Sequence, residues 1–93
     1  MNLNQIELRH LRYFFAVAQS AHFTRAAEKL HVTQPTLSHQ IRELEAQLGL
    51  QLFDRAGKKV KLTAAGETLL PHAEKVLQQL DSAQAAVIEL HGL

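Results

Sequence analysis

Apolar side chains recur along the first third of the chain at helical spacing. Leu8, Leu11, Phe15 and Ala18 follow one another at steps of three and four, with Phe14 beside them. That spacing predicts one stripe of a helix over Leu8 to Ala21, and His22 and Phe23 break it. A second helix of about seven residues is expected next, too short to stand without neighbours. Thr24 is its expected N-cap, with Phe23 as an apolar staple and Ala26, Ala27 and Leu30 as its buried side.

His31, Val32 and Thr33 form a short connection. Thr33 is the next N-cap. Pro35 falls in the first turn, where its missing N–H costs nothing because first-turn donors have no helical partner. Leu37, Ile41, Leu44 and Leu48 then repeat at steps of four, three and four. At about 100° per residue they cover roughly 60° of a third helix, with Gly49 as its expected stop. With Leu37 at zero, Ser38 lies near ~100°, Arg42 near ~140°, Pro35 near ~160° and His39 near ~200°. These polar or compact residues are expected to point away from the core.

After Gly49 the period changes. Leu50, Leu52 and Phe53 lead into Asp54-Arg55-Ala56-Gly57-Lys58, after which Lys59, Val60, Lys61 and Leu62 alternate. Two short strands around a turn are predicted, with cations on one face. The final segment opens at Thr63, an expected N-cap. Leu69, Ala73, Val76, Leu80, Ala83, Val87 and Leu90 then alternate at steps of four and three, and Leu70 and Leu77 widen the stripe. A seam sustained in this way predicts a two-helix contact rather than one face on a globular core. Pro71 either bends this helix or stands in the first turn of one that begins near Leu70.

At 93 residues the chain is one small unit, expected to divide into a winged part over residues 1–63 and a linker helix over 64–93. A chain of this size is marginal alone and gains from dimerisation. No cysteine is present, which excludes disulfides and thiolate chemistry. No apolar run approaches the roughly 18 residues of a membrane span. The opening residues carry no export signal, so a cytoplasmic location without membrane contact is expected.

The net charge of +1 conceals an asymmetry. Residues 1–63 hold Arg9, Arg12, Arg25, Lys29, Arg42, Arg55, Lys58, Lys59 and Lys61 against Glu7, Glu28, Glu43, Glu45 and Asp54, a net +4. Residues 64–93 hold Lys75 against Glu67, Glu74, Asp81 and Glu89, a net −3. A basic part followed by an acidic one points to a polyanion-binding region joined to a region with another task.

Two helices joined by three residues, the second apolar inside and polar outside, make a helix-turn-helix, and a basic hairpin makes it winged. The expected fold is mainly α: three helices and a two-strand wing, followed by a long dimerisation helix. Its third helix, residues 34–48, suits the major groove of double-stranded DNA, which is wide enough for one helix. Arg42 can fork onto a guanine edge, Gln34 can pair with adenine or anchor a phosphate, His39 can do either, and compact Thr36 and Ser38 let backbone and bases approach. Within the wing, residues 55–61, Lys58 at the tip is placed for the minor groove. Thr24, Arg25, Thr33, Arg55, Lys59 and Lys61 are candidate phosphate contacts, the first three because helix N-termini favour anions.

Enzyme chemistry is not expected. Ser38 and His39 are adjacent on a helix and diverge by about 100°, with no third group to orient them. The six histidines have no pair at the three-to-five-residue spacing of a helical metal site, so neither a metal nor another cofactor is expected. Two other readings fit the same residues: a winged helix used for protein assembly through the seam, and a binder of nucleic acid without sequence preference.

The run Leu11-Arg12-Tyr13-Phe14-Phe15-Ala16-Val17-Ala18 resembles the opening helix of LysR-type transcriptional regulators. Phe23-Thr24-Arg25-Ala26-Ala27-Glu28-Lys29-Leu30 and Val32-Thr33-Gln34-Pro35-Thr36-Leu37-Ser38 resemble the following segments. Ile41-Arg42-Glu43-Leu44-Glu45, Leu48-Gly49, Leu52-Phe53-Asp54-Arg55 and Leu62-Thr63-Ala64-Ala65-Gly66 continue the series in register, from about Leu8 to Leu90. The resemblance implies the DNA-binding part of a bacterial regulator that sits on promoter dyads as a homodimer. The linker helix would pair between subunits, antiparallel or two-fold, through Leu69, Ala73, Val76, Leu77, Leu80, Ala83, Val87 and Leu90. It further implies that a small-molecule effector is sensed by a larger domain outside this chain. The family's base-reading positions fall on Gln34, Pro35, Thr36, Ser38, His39 and Arg42, and its wing position on Lys58. His39 departs from the Arg or Gln that many relatives carry.

Overall fold

A computed structural model describes residues 6–57 and 59–92. The elements are α1 (Leu8–Ser20), α2 (Phe23–Leu30), α3 (Gln34–Leu48), β1 (Phe53–Asp54), β2 (Lys61–Leu62) and α4 (Ala64–His91). The mainly α, winged architecture is the one read from the sequence. Among the described residues no helix is long and apolar enough to cross a membrane.

The core is built where α1, α2, α3 and the start of α4 converge. Phe14, Val17, Ala26, Leu37, Ile41, Leu44 and Ala73 are fully buried, with Leu52 and Phe53 nearly so. The ring of Phe53 lies 5.4 Å from that of Phe14 and 6.0 Å from that of Phe23, so the first strand is pinned to the helices by aromatic contact. Leu37, Ile41 and Leu44 are buried as their spacing predicts, while Leu48 is half-buried near the exit. Gly49 ends α3 at φ 73°, a left-handed conformation that glycine adopts without Cβ strain.

Local expectations were corrected at both early helices. α1 ends at Ser20, and Ala21 takes the left-handed cap at φ 55°. Its core face runs through His10, Phe14 and Val17. Leu8 is exposed, whereas Leu11, Phe15 and Ala18 are half-buried. The expected stripe is therefore the flank of the true one, because α1 contacts all three other helices and is covered over a wide arc. Thr24 is not the N-cap of α2. Phe23 is already helical and buried, and His22 occupies the cap position without a side-chain capping bond. The Ser20 hydroxyl instead fixes this corner, donating to the His22 carbonyl at 2.9 Å and accepting from its N–H at 3.3 Å. The burial of Phe23, against which Phe53 packs edge-on, draws the helix start two residues earlier than capping chemistry alone suggests.

The wing pairs Phe53 with Leu62 and Asp54 with Lys61, antiparallel. Such a short hairpin is marginal alone, and further hydrogen bonds tie it down. Leu52 N–H donates to Glu45 Oε2 at 2.7 Å, and Thr63 N–H donates to the Leu52 carbonyl at 2.9 Å. Val60 N–H reaches the Ala21 carbonyl at 3.3 Å, and Thr63 Oγ1 donates to the Gln51 carbonyl at 2.6 Å.

Thr63 caps α4, its hydroxyl accepting from Gly66 N–H at 3.1 Å. The helix then runs without a break through Pro71, so a start near Leu70 is not realised. Pro71 is exposed, and its ring needs no room in the core. The uniform seam is corrected too. Ala73 is wholly buried in the chain's own core, and Leu69 and Leu70 pack against that core. Leu77 and Leu80 are half-buried. Val76, 41% exposed, and the last turns fit an uncovered stripe, with Val87 67%, Ile88 68% and Leu90 72% exposed. The same heptad spacing thus serves an internal contact first and an open face afterwards. Spacing cannot separate the two, because both require one apolar side.

Candidate nucleic-acid interface

α3 positions the candidate surface. Thr33 is its N-cap, with Oγ1 accepting from Thr36 N–H at 3.3 Å and Pro35 in the first turn. Leu37, Ile41 and Leu44 hold the helix from behind. Pro35, His39 and Arg42 are exposed on its outer side, as their angles require, and Gln34 and Thr36 are exposed in its first turn. Arg42 makes no hydrogen bond or ion pair among the described residues, so its guanidinium donors face outward unspent.

Ser38 departs from expectation. It is only 6% exposed, because α1 and α2 both pack on α3 and cover more than its apolar stripe. Its hydroxyl accepts from Gln34 Nε2 at 2.7 Å. Ser38 therefore holds the Gln34 amide, whose carbonyl oxygen and second N–H are left for an outside partner. The Thr33 hydroxyl is also engaged, since it donates to Thr36 Oγ1 at 2.9 Å and has no proton to offer a phosphate. Thr24, freed from capping, is exposed beside exposed Arg25 in the first turn of α2.

On the wing, Lys59 and Lys61 are exposed. Lys58 lies outside the described residues. Arg55 is not a free cation. Its guanidinium carbon sits 4.4 Å above the Phe23 ring, and Nη2 lies 3.9 Å from Glu45 Oε1. Glu45 thereby joins α3, the strand entry and Arg55, a role that sequence reasoning missed. Its N–H partners, on Leu52 and Phe53, lie seven and eight residues away, past the end of α3. Replacing Glu45 by Ala should destabilise the fold by about 1–3 kcal/mol through the orphaned N–H groups. Chemical denaturation checks the loss, and amide exchange at Leu52 should rise before exchange in α1 does.

A second missed group is Glu43. Its Oε1 lies 3.4 Å from His39 Nε2 and its Oε2 3.5 Å from His10 Nε2. His10 is buried, and its Nδ1 accepts from Glu7 N–H at 3.0 Å. The steps from His10 to Phe14 and Val17 are helical, so the core position of His10 was open to the same periodicity test.

Comparison with known proteins bears on this geometry. The profile of the bacterial regulatory helix-turn-helix proteins of the lysR family matches residues 8–67. The Hca operon transcriptional activator HcaR of Escherichia coli (strain K12) is 58% identical over 79 residues, which cover 85% of this chain and 27% of that protein. The regulator AlsR of Bacillus subtilis (strain 168) is 51% identical over 75 residues, 81% of this chain and 25% of that protein. The chain thus spans about a quarter of the length of these two relatives. Among solved structures, the BenM DNA-binding domain with catB site 1 DNA superposes with a TM-score of 0.88 at 44% identity, covering 91% of this chain and 96% of that one. A CbnR DNA-binding domain–DNA complex gives 0.79 at 40% identity, covering 88% and 99%.

Proposed function

The chain belongs to the lysR family of bacterial regulatory helix-turn-helix proteins, and from that premise we propose that it binds double-stranded promoter DNA sequence-specifically as a homodimer. The observation that carries the reading is the α3 surface: a buried row at Leu37, Ile41 and Leu44 props exposed Gln34, Thr36, His39 and Arg42 outward. A helix with that face fits the major groove. The relatives are transcriptional regulators, and the BenM and CbnR domains of the same fold are seen with DNA.

In this reading Arg42 forks onto a guanine edge, Pro35 and Thr36 approach the base edges, and Gln34 reads a base in the orientation Ser38 imposes. Thr24, Arg25, Lys59 and Lys61 meet phosphates. Lys58 is assigned to the minor groove. Arg55 braces the wing, held between Phe23 and Glu45. Effector sensing is assigned to residues other than these.

The dimer is assigned to the stretch of α4 from Val76 to Leu90, where Val76, Ala83, Val87 and Leu90 share an exposed side. Paired helices can set two α3 helices about 34 Å apart, one turn of duplex. Replacing Val87 by Lys should leave the fold intact, because that side chain is largely exposed, and weaken the dimer about tenfold or more by placing like charges in an apolar contact. Sedimentation equilibrium reads the mass and circular dichroism the fold. An unchanged dimer would remove this assignment.

The direct test is selection of duplexes from a random library by the chain itself, followed by competition against a scrambled duplex. The selected sequence should bind on the order of 1,000-fold more tightly, and affinity should fall steeply with salt. Equal affinity for both duplexes would instead favour binding without sequence preference.

A further inference from the structure

We propose that Glu43, which faces buried His10, is a positioning residue that decides which nitrogen of His39 faces DNA, and so which base edge His39 reads. The inference rests on the DNA-binding function proposed above.

The chain of contacts runs from the core to the surface. Glu7 N–H donates to His10 Nδ1 at 3.0 Å, so that nitrogen carries a lone pair and the ring proton sits on Nε2. His10 Nε2 is buried and has no hydrogen-bond partner among the described residues. Glu43 Oε2, at 3.5 Å, is the acceptor facing it. The two share a small polar hollow with Glu7, Arg9, Ala46 and Gln47. The opposite oxygen, Glu43 Oε1, stands 3.4 Å from His39 Nε2, one helical turn back on α3.

A carboxylate accepts hydrogen bonds and donates none. Of the two tautomers of a neutral His39 ring, Glu43 therefore favours the one with its proton on Nε2. Nδ1 is left as the nitrogen available to an outside partner, and it is an acceptor. On a base edge an acceptor matches an amino group, adenine N6 or cytosine N4, rather than guanine N7 and O6.

An amide in place of the carboxylate reverses the logic. In Glu43→Gln the oxygen must still face the His10 N–H, because that buried group can only donate. The amide NH2 then faces His39 Nε2 and requires a lone pair there. The ring proton moves to Nδ1, and the outward nitrogen becomes a donor suited to guanine. The variant is nearly isosteric and sits on a partly exposed carboxylate, so the fold should be unaffected.

Two measurements on wild type and Glu43→Gln at pH 8, above the ordinary imidazole range, test this. Long-range proton–nitrogen correlation spectra of the free protein report each ring's tautomer. His39 should hold its proton on Nε2 in wild type and shift toward Nδ1 in the variant, while exposed His22 and His91 do not change. Binding to selected duplexes, varied one base pair at a time, should then shift by about fivefold toward guanine at a single position. An unmoved His39 tautomer would overturn the inference, as would a moved tautomer with unmoved base preference. Failure of both proteins to bind any selected duplex, with the tautomer change intact, would sink the DNA-binding function and this base assignment together.

Discussion

Replacing Arg42 by Glu should weaken binding to the selected duplex on the order of 100-fold or more. One bidentate guanidinium–guanine pair is worth about 1–3 kcal/mol, a dimer holds two copies, and the new carboxylate repels the duplex. Arg42 is exposed and unpaired among the described residues, so circular dichroism and melting temperature should not change. Arg42→Lys separates the causes. Lysine keeps the charge and loses the planar fork, so the salt slope should persist while discrimination at one base pair relaxes. Titration by fluorescence anisotropy at several salt concentrations measures both. If Arg42→Glu binds as tightly as wild type, the outer side of α3 is not the reading surface.

The largest expected loss of stability comes from a methyl group. Gly66 lies in the first turn of α4, where Gly→Ala ordinarily stabilises by about 0.5–1 kcal/mol through propensity. Here a Cβ would overlap the Leu52 carbonyl oxygen and approach Leu62 Cδ2 to 2.7 Å. The carbonyl cannot step aside freely, because it accepts from Thr63 N–H at 2.9 Å. Gly66→Ala should therefore destabilise by about 3 kcal/mol, at the upper end of overpacking effects. For a domain this small, that lowers the melting temperature by more than about 10 °C. Gly57→Ala is the control: its nearest neighbour would be 3.9 Å away, so little change is expected. A stabilised Gly66→Ala variant would show that α4 and the strand entry are not in close contact.

The two substitutions mark how far the sequence reaches. Residue spacing by itself determined the order of helices, the turn between α2 and α3, the caps at Thr33, Gly49 and Thr63, and the outward direction of Arg42. Each follows from periodicity or capping chemistry within a few residues. The resemblance to LysR-type regulators came from local runs of the same kind. What packs against what was not legible at that range. Ser38 and His39 are neighbours in sequence, yet one is buried and the other exposed, because α1 and α2 close over one flank of α3. Thr24 has a capping side chain, but the pull of Phe23 toward the core moved the helix start. Leu69 and Val87 lie in one heptad register, but only the first meets the chain's own core. The contacts of Glu45 with the strand entry and of Glu43 with His10 join different elements, and no repeat in the chain encodes them. Local hydrogen bonding and side-chain period are short-range and readable from order alone. Burial is decided by which surfaces the folded helices bring together, and only the tertiary structure fixes that.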